Sequence, residues 1–162
     1  MSVDADTLSA ADRFFLDLAF AEAEAAHARG EVPIGAVLVA AETGAVLARA
    51  GNRTEADADP TAHAEIVAIR AAGAARGRPR LPDCDLYVTL EPCGMCATAI
   101  SFARIRRLVY AAPDPKMGGV AHGGRFFTQP TCHHRPAVLG PLPELAERSA
   151  DLLRRFFRER RG

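Results

Sequence analysis

His63, Glu65, Cys93 and Cys96 are the residues of this chain whose types and spacing best suit chemistry. They fall in two short strings, Thr61-Ala-His-Ala-Glu65 and Glu91-Pro-Cys-Gly-Met-Cys96, which read H-x-E and P-C-x-x-C. One neutral imidazole and two thiolates suit Zn2+, and their charges cancel that of the ion. A zinc with only three protein ligands keeps a position open for water and lowers the water's pKa toward about 7, which separates catalytic from structural zinc. Glu65 lies close enough to His63 to reach that water, accept its proton and hand it on. Positioned proton transfer of this kind contributes roughly 10²–10⁴ in rate. A closed four-ligand zinc is the competing reading. It would draw on Cys84, Cys132, His133 or His134, and it leaves Glu65 and Pro92 without a reason.

The elements that must hold these residues can be read from periodicity and punctuation. Ser9 to Arg29 has a capping serine, Asp12 three residues on, and Gly30 as a stop, with Phe14, Leu18, Ala21 and Ala25 as the expected apolar stripe. Ile34–Ala40 is a continuous apolar run, the mark of a buried strand, and Ala45–Ala50 returns after a turn at Glu42-Thr-Gly44. Helices are expected from His63 to about Ala75 and from Cys93 to Ala103, strands at Leu86–Leu90, Leu108–Tyr110 and Ala137–Leu139, and a closing helix over Pro143–Arg160. Residues 112–136 form a long Gly/Pro-rich loop. The hairpin strands must be antiparallel, and strands joined through helices should run parallel, so one mixed sheet with helices on both faces follows. Both motifs then sit where a loop becomes a helix. The unpaired N–H groups and partial positive charge of such ends favour thiolates.

With 162 residues, 49% of them hydrophobic, one domain spanning 1–162 is expected, with 1–8 as a flexible lead-in. The net charge is zero but uneven: residues 1–24 are acidic and residues 152–162 are arginine-rich. Overall neutrality therefore leaves room for a polyanionic partner. The four cysteines, two of them in C-x-x-C beside a histidine motif, point to metal rather than disulfides. The acidic N-terminus lacks the pattern of a signal peptide, and no apolar run approaches the roughly 20 residues of a membrane span. A reducing cytoplasmic setting and no membrane partner are expected.

H-x-E followed by P-C-x-x-C is the signature of zinc nucleobase deaminases, in which water replaces an exocyclic amine. The strings Glu31-Val-Pro-Ile-Gly-Ala-Val-Leu-Val39, Gly51-Asn-Arg53, Thr61-Ala-His-Ala-Glu-Ile66, Leu86-Tyr-Val-Thr-Leu-Glu-Pro-Cys93, Ile100-Ser-Phe-Ala-Arg-Ile105, Asp114-Pro-Lys116 and Phe156-Phe-Arg158 carry this further. Across roughly residues 13–160 the chain resembles the bacterial tRNA-specific adenosine deaminases of the cytidine deaminase superfamily. Gly94 and Met117 depart from that family's pattern.

The resemblance implies an α/β fold of the cytidine-deaminase type, three layers α-β-α around a mixed five-stranded sheet. It implies one Zn2+ per subunit on His63, Cys93 and Cys96, Glu65 as the proton shuttle, a homodimer, and a tRNA anticodon stem-loop as substrate. The wobble adenosine would become inosine. Asn52, Asp114, Phe156 and Arg158 are the expected substrate contacts: an amide for the nucleoside, a carboxylate for a ribose 2′-OH, an aromatic for a flanking base and a guanidinium for phosphate. Adjacent Phe156 and Phe157 point in different directions, so one belongs to the core and the other is free to stack. Cys132-His-His134 reads as a polar loop lining the substrate groove rather than a second metal site. Two rivals remain: a guanine or cytosine deaminase on the same fold, and a non-catalytic zinc-bearing RNA-binding subunit, which would not need Glu65.

Overall fold

The computed structural model describes residues 7–161. Its elements are α1 (Ala10–Ala28), β1 (Gly35–Ala40), β2 (Val46–Gly51), α2 (Ala64–Arg76), β3 (Cys84–Leu90), α3 (Gly94–Phe102), β4 (Arg107–Ala112), β5 (Ala137–Leu139) and α4 (Pro143–Arg161). The strands form one sheet in the order β2-β1-β3-β4-β5. β1 is antiparallel to both β2 and β3, and β3-β4 and β4-β5 are parallel. This is the expected mixed five-stranded sheet. Of the expected flexible segment 1–8, residues 1–6 lie outside the described residues, and Leu8 packs half-buried on the core.

Alternation along the strands divides the core between the two faces. Ala36, Leu38, Leu86, Val88, Leu108 and Tyr110 meet α2 and α3 on one side. Val37, Val39, Tyr87, Val109 and Ala111 meet α1 and α4 on the other. Ser9 and Asp12 close a reciprocal capping box on α1, Ser9 Oγ accepting from Asp12 N at 3.0 Å and Asp12 Oδ2 accepting from Ser9 N at 2.9 Å.

The apolar stripe of α1 is not the one expected. Phe14 is 57% exposed, and Phe15, Leu16, Ala19, Phe20, Ala23 and Ala26 are buried instead. The reason is close approach to the sheet. A Cβ on Gly35 would lie 1.8 Å from the carbonyl oxygen of Ala19, and one on Gly51 would lie 2.8 Å from that of Glu22. Gly35 and Gly51 face each other in the β1-β2 register. This glycine pair lets the backbone of α1 sit on the strands, and the small residues of the helix mark the contact line.

β2 and β3 run in the same direction with β1 between them. The connections leaving their carboxyl ends, 52–63 and 91–93, therefore emerge from one edge of the sheet. That edge is where ligands bind in open α/β sheets.

Candidate active site

His63 and Cys93 are the N-cap residues of α2 and α3, and neither side chain caps its own helix. They face each other instead. His63 Nδ1 lies 3.6 Å from Cys93 Sγ and 3.6 Å from Cys96 Sγ. Among the described residues these three form the one group able to hold a metal ion, with all ligand atoms within 4.8 Å of one another. A tetrahedral zinc with Zn–N and Zn–S bonds of ordinary length places its N and S ligands about 3.6 Å apart, so the spacing fits the ion.

The electrostatics agree. Two thiols this close titrate against each other: the neighbouring Cys96 thiol holds Cys93 down to about 4, and Cys93 together with burial pushes Cys96 up. A divalent cation between them stabilises both as thiolates. The three residues are a binding site for one Zn2+.

Glu65, in the first turn of α2, is buried beside this triangle. Burial pushes its carboxyl above the ordinary range, aided by the charge of Cys93 and opposed by that of His63. A carboxyl so placed can hold a proton as well as give one up. His63, Cys93 and Glu65 line a cavity of about 470 Å³, within the size range of small-molecule sites, with Cys96 buried behind them. Its walls come from Val32 and Ile34, Asn52, Leu90 and Glu91, the loop residues Pro113, Asp114, Lys116 and Met117, and Leu153 and Phe157 of α4.

The expected contacts separate in the structure. Asn52 and Asp114 both line the cavity. The Asn52 amide donates to Thr54 Oγ1 at 3.4 Å, and Asp114 Oδ1 accepts from the backbone N–H groups of Lys116 and Met117 at 3.2 and 3.1 Å, bracing its own loop.

Phe156 is a correction. It is 4% exposed and packs edge-on against His27 and Phe157, while Phe157, 47% exposed, takes the place at the cavity. Helical spacing explains it: Ser149, Leu152 and Phe156 form the buried line of α4. Arg158 is also away from the cavity, in a surface groove between α1 and α4 with Glu24, Arg148 and Arg155.

Cys132-His-His134 does not line the groove. Cys132 is buried, His134 Nε2 lies 2.7 Å from the Ile105 carbonyl, and Ser101 Oγ donates to His134 O at 2.7 Å, so this loop fastens the far end of α3.

Two buried carboxylates at the site were not singled out from the sequence. Glu31 accepts from the N–H groups of Glu55 and Ala56 at 2.7 and 3.2 Å, holding the loop that follows Asn52. Glu91 gathers the loop after β4. Burial alone would raise its carboxyl, but the His122 ring and the backbone N–H groups of Asp114, Val120 and Ala121 outweigh that and hold it below the ordinary range. Their signal in the sequence is an acidic residue inside an otherwise apolar segment.

A three-layer α/β fold with a His-Cys-Cys zinc site and a buried glutamate beside it defines a zinc-dependent deaminase of the cytidine deaminase type. Residues 9–112 match the cytidine and deoxycytidylate deaminase zinc-binding region, and the chain belongs to that family. It is 62% identical over 147 residues to a tRNA-specific adenosine deaminase of Agrobacterium fabrum, covering 91% of this chain and 94% of the relative. A solved structure from a study of A-to-I editing by tRNA:A34 deaminases superposes with a TM-score of 0.82 at 60% identity, covering 87% of this chain and 99% of the other. A guanine deaminase from Bacillus subtilis superposes with a TM-score of 0.61 at 36% identity, covering 82% and 87%.

Proposed function

We propose that this single-domain protein hydrolyses the wobble adenosine of a tRNA anticodon loop to inosine, releasing ammonia. The observation that carries the chemistry is the buried Glu65 in the cavity lined by His63 and Cys93, beside the His63-Cys93-Cys96 ligand group. The 62% identical relative supports the choice of adenosine in tRNA. Bound zinc supplies an activated water as nucleophile at C6 of the purine. Glu65 would take one proton from that water and deliver it to the ring nitrogen beside C6. It would then take the proton of the new C6 hydroxyl and pass it to the amine, which leaves as ammonia while C6 becomes a carbonyl. Asn52 orients the nucleoside, and the Asp114 carboxylate accepts from a ribose 2′-OH. Phe157 offers a face to a flanking base. A loop target suits this, because its bases are already partly unstacked.

Phosphate contact falls to α4. Several of its arginines are engaged within the protein: Arg148 pairs with Asp17, Arg154 with Glu147 and Asp151, and Arg160 donates to the Gly30 carbonyl. Among the described residues Arg155 and Arg158 have no such partner, which leaves them for the RNA backbone.

A homodimer is supported by α3. Its outward face carries Met95, Ala99 and Phe102, the last 69% exposed, while Cys96, Ala97 and Ile100 are buried behind it. An exposed apolar face on a helix whose other face is already buried suits a protein–protein contact. A second copy is its expected cover, and Phe102→Glu should convert the dimer to a monomer in sedimentation. Free cysteines throughout the described residues and a thiolate metal site favour the reducing cytoplasm. No helix among the described residues is long and apolar enough to cross a membrane.

The test is incubation with total tRNA, free guanine and free cytosine, followed by mapping of inosine. Inosine at a wobble position with the free bases untouched supports the reading. Turnover of guanine alone favours the second reading, for which the Bacillus subtilis guanine deaminase structure is the specific observation.

A further inference from the structure

We propose that Glu91 is a positioning residue that sets the cavity wall of residues 113–117 in register with the zinc ligands, and thereby governs how tightly the RNA is held. The substrate named here rests on the adenosine-deaminase reading; the clamp itself rests on geometry.

The side chain of Glu91 is fully buried. Its Oε1 accepts from Asp114 N at 3.1 Å and from the His122 ring at 2.8 Å. A carboxylate here can only accept, so His122 Nδ1 carries the proton. Its Oε2 accepts from three successive backbone N–H groups, Val120 at 3.2 Å, Ala121 at 3.0 Å and His122 at 3.1 Å. Consecutive N–H groups aimed at one point form an anion-binding nest, and here the anion is part of the protein. The two ends of the wall, 114 and 120–122, are thus tied to one carboxylate. Lys116 and Met117, which line the cavity, lie between them.

The template extends along the backbone. Gly119 N donates to Pro92 O at 2.8 Å, and Gly118 forms a β-bridge with Cys93. A Cβ on Gly118 would lie 2.2 Å from Glu91 Oε2, and one on Gly119 would lie 2.5 Å from Gly94 N. The wall is therefore moulded on the Glu91–Gly94 segment, and the same segment carries the ligand Cys93. Residues 113–119 have no helix or strand of their own to fix them. Remote contacts to a substrate, lost uniformly in ground and transition states, raise KM and leave kcat.

The experiment uses Glu91→Gln, which keeps the shape, removes the charge and turns an acceptor into a donor facing backbone N–H groups. Zinc per chain, kcat and KM on a synthetic anticodon stem-loop, and amide hydrogen exchange of 113–122 are measured on the zinc-loaded protein. The expected result is one zinc retained, KM raised about ten-fold or more, kcat within about three-fold, and faster exchange at 114 and 120–122. Gly118→Ala attacks the same clamp from the loop side and should give the same split. It decides the question if Glu91→Gln does not fold. Unchanged KM in the folded variants, or kcat falling in step with lost zinc, overturns the proposal. If the wild type does not deaminate the stem-loop, the substrate reading fails and exchange decides the clamp: faster exchange with zinc kept supports it, and unchanged exchange overturns it.

Discussion

Phe156 and Phe157 are neighbours in sequence with opposite surroundings, so truncating each should damage a different property. Phe157 is 47% exposed at the mouth of the zinc cavity. Stacking of a base on an aromatic ring is worth about 1–3 kcal/mol by alanine substitution. At about 1.4 kcal/mol per ten-fold, Phe157→Ala should raise KM for an anticodon stem-loop roughly 5- to 150-fold with little change in melting temperature. Phe156 is 4% exposed and packed between His27 and Phe157. Emptying a buried phenylalanine site costs about 3–5 kcal/mol. For a chain of this length each kcal/mol lowers the melting temperature about 2–4 °C, so Phe156→Ala should lose roughly 6–20 °C. At a temperature where it is folded, its KM should stay near that of the wild type. Steady-state kinetics on the stem-loop and calorimetry of both variants check this. A normal KM in Phe157→Ala, or a KM loss in Phe156→Ala as large as in Phe157→Ala, refutes the assignment of the two faces.

Asp12 offers a stability test. Its carboxylate is buried, bonded by Tyr87 Oη at 2.7 Å and by Arg107 at 2.8 and 3.1 Å. Burial alone would raise its pKa, but the hydrogen bonds from Arg107, Ser9 N and Tyr87 hold it below the ordinary value. A folded pKa below the unfolded one means that this stability is present above about pH 4 and lost as pH falls through the folded value. Asp12→Asn should cost about 3–5 kcal/mol at pH 7 in urea unfolding, and the gap to wild type should narrow in acid; a gap that is constant with pH contradicts the linkage. Replacing Arg155 and Arg158 together by alanine should flatten the dependence of RNA affinity on salt by about 0.7–0.9 in log–log slope per lost phosphate contact, measured by fluorescence anisotropy. An unchanged slope removes both arginines from the RNA interface.

The zinc triangle was legible because its geometry is local. Each half of the motif sits at a helix N-cap, and punctuation such as Pro92 before Cys93 marks those ends. Strand direction followed from connection rules, whereas the order β2-β1-β3-β4-β5 came only from the structure. The face of α1 did not, because it depends on where Gly35 and Gly51 admit the helix, a contact between residues far apart in sequence. Phe156 was legible in principle: the spacing of Ser149, Leu152 and Phe156 turns it inward. The matched string Phe156-Phe-Arg158 identified the region and not the face. The roles of Glu31 and Glu91 were hidden for another reason. An acidic residue beside apolar ones marks each as buried, but their partners are mostly backbone N–H groups of irregular loops, so nothing in the sequence tells what each carboxylate holds. Cys132 and His134 resembled ligands by type, but their bonds to Ser101 and Ile105 are structural.

The most direct test of the central claim is one assay on wild type and Glu65→Ala side by side: zinc per chain, and inosine formed in an anticodon stem-loop carrying a wobble adenosine. Three-ligand zinc with Glu65 as the proton carrier predicts one zinc in both proteins and inosine from the wild type alone. Inosine formation by Glu65→Ala at the wild-type rate would contradict the mechanism.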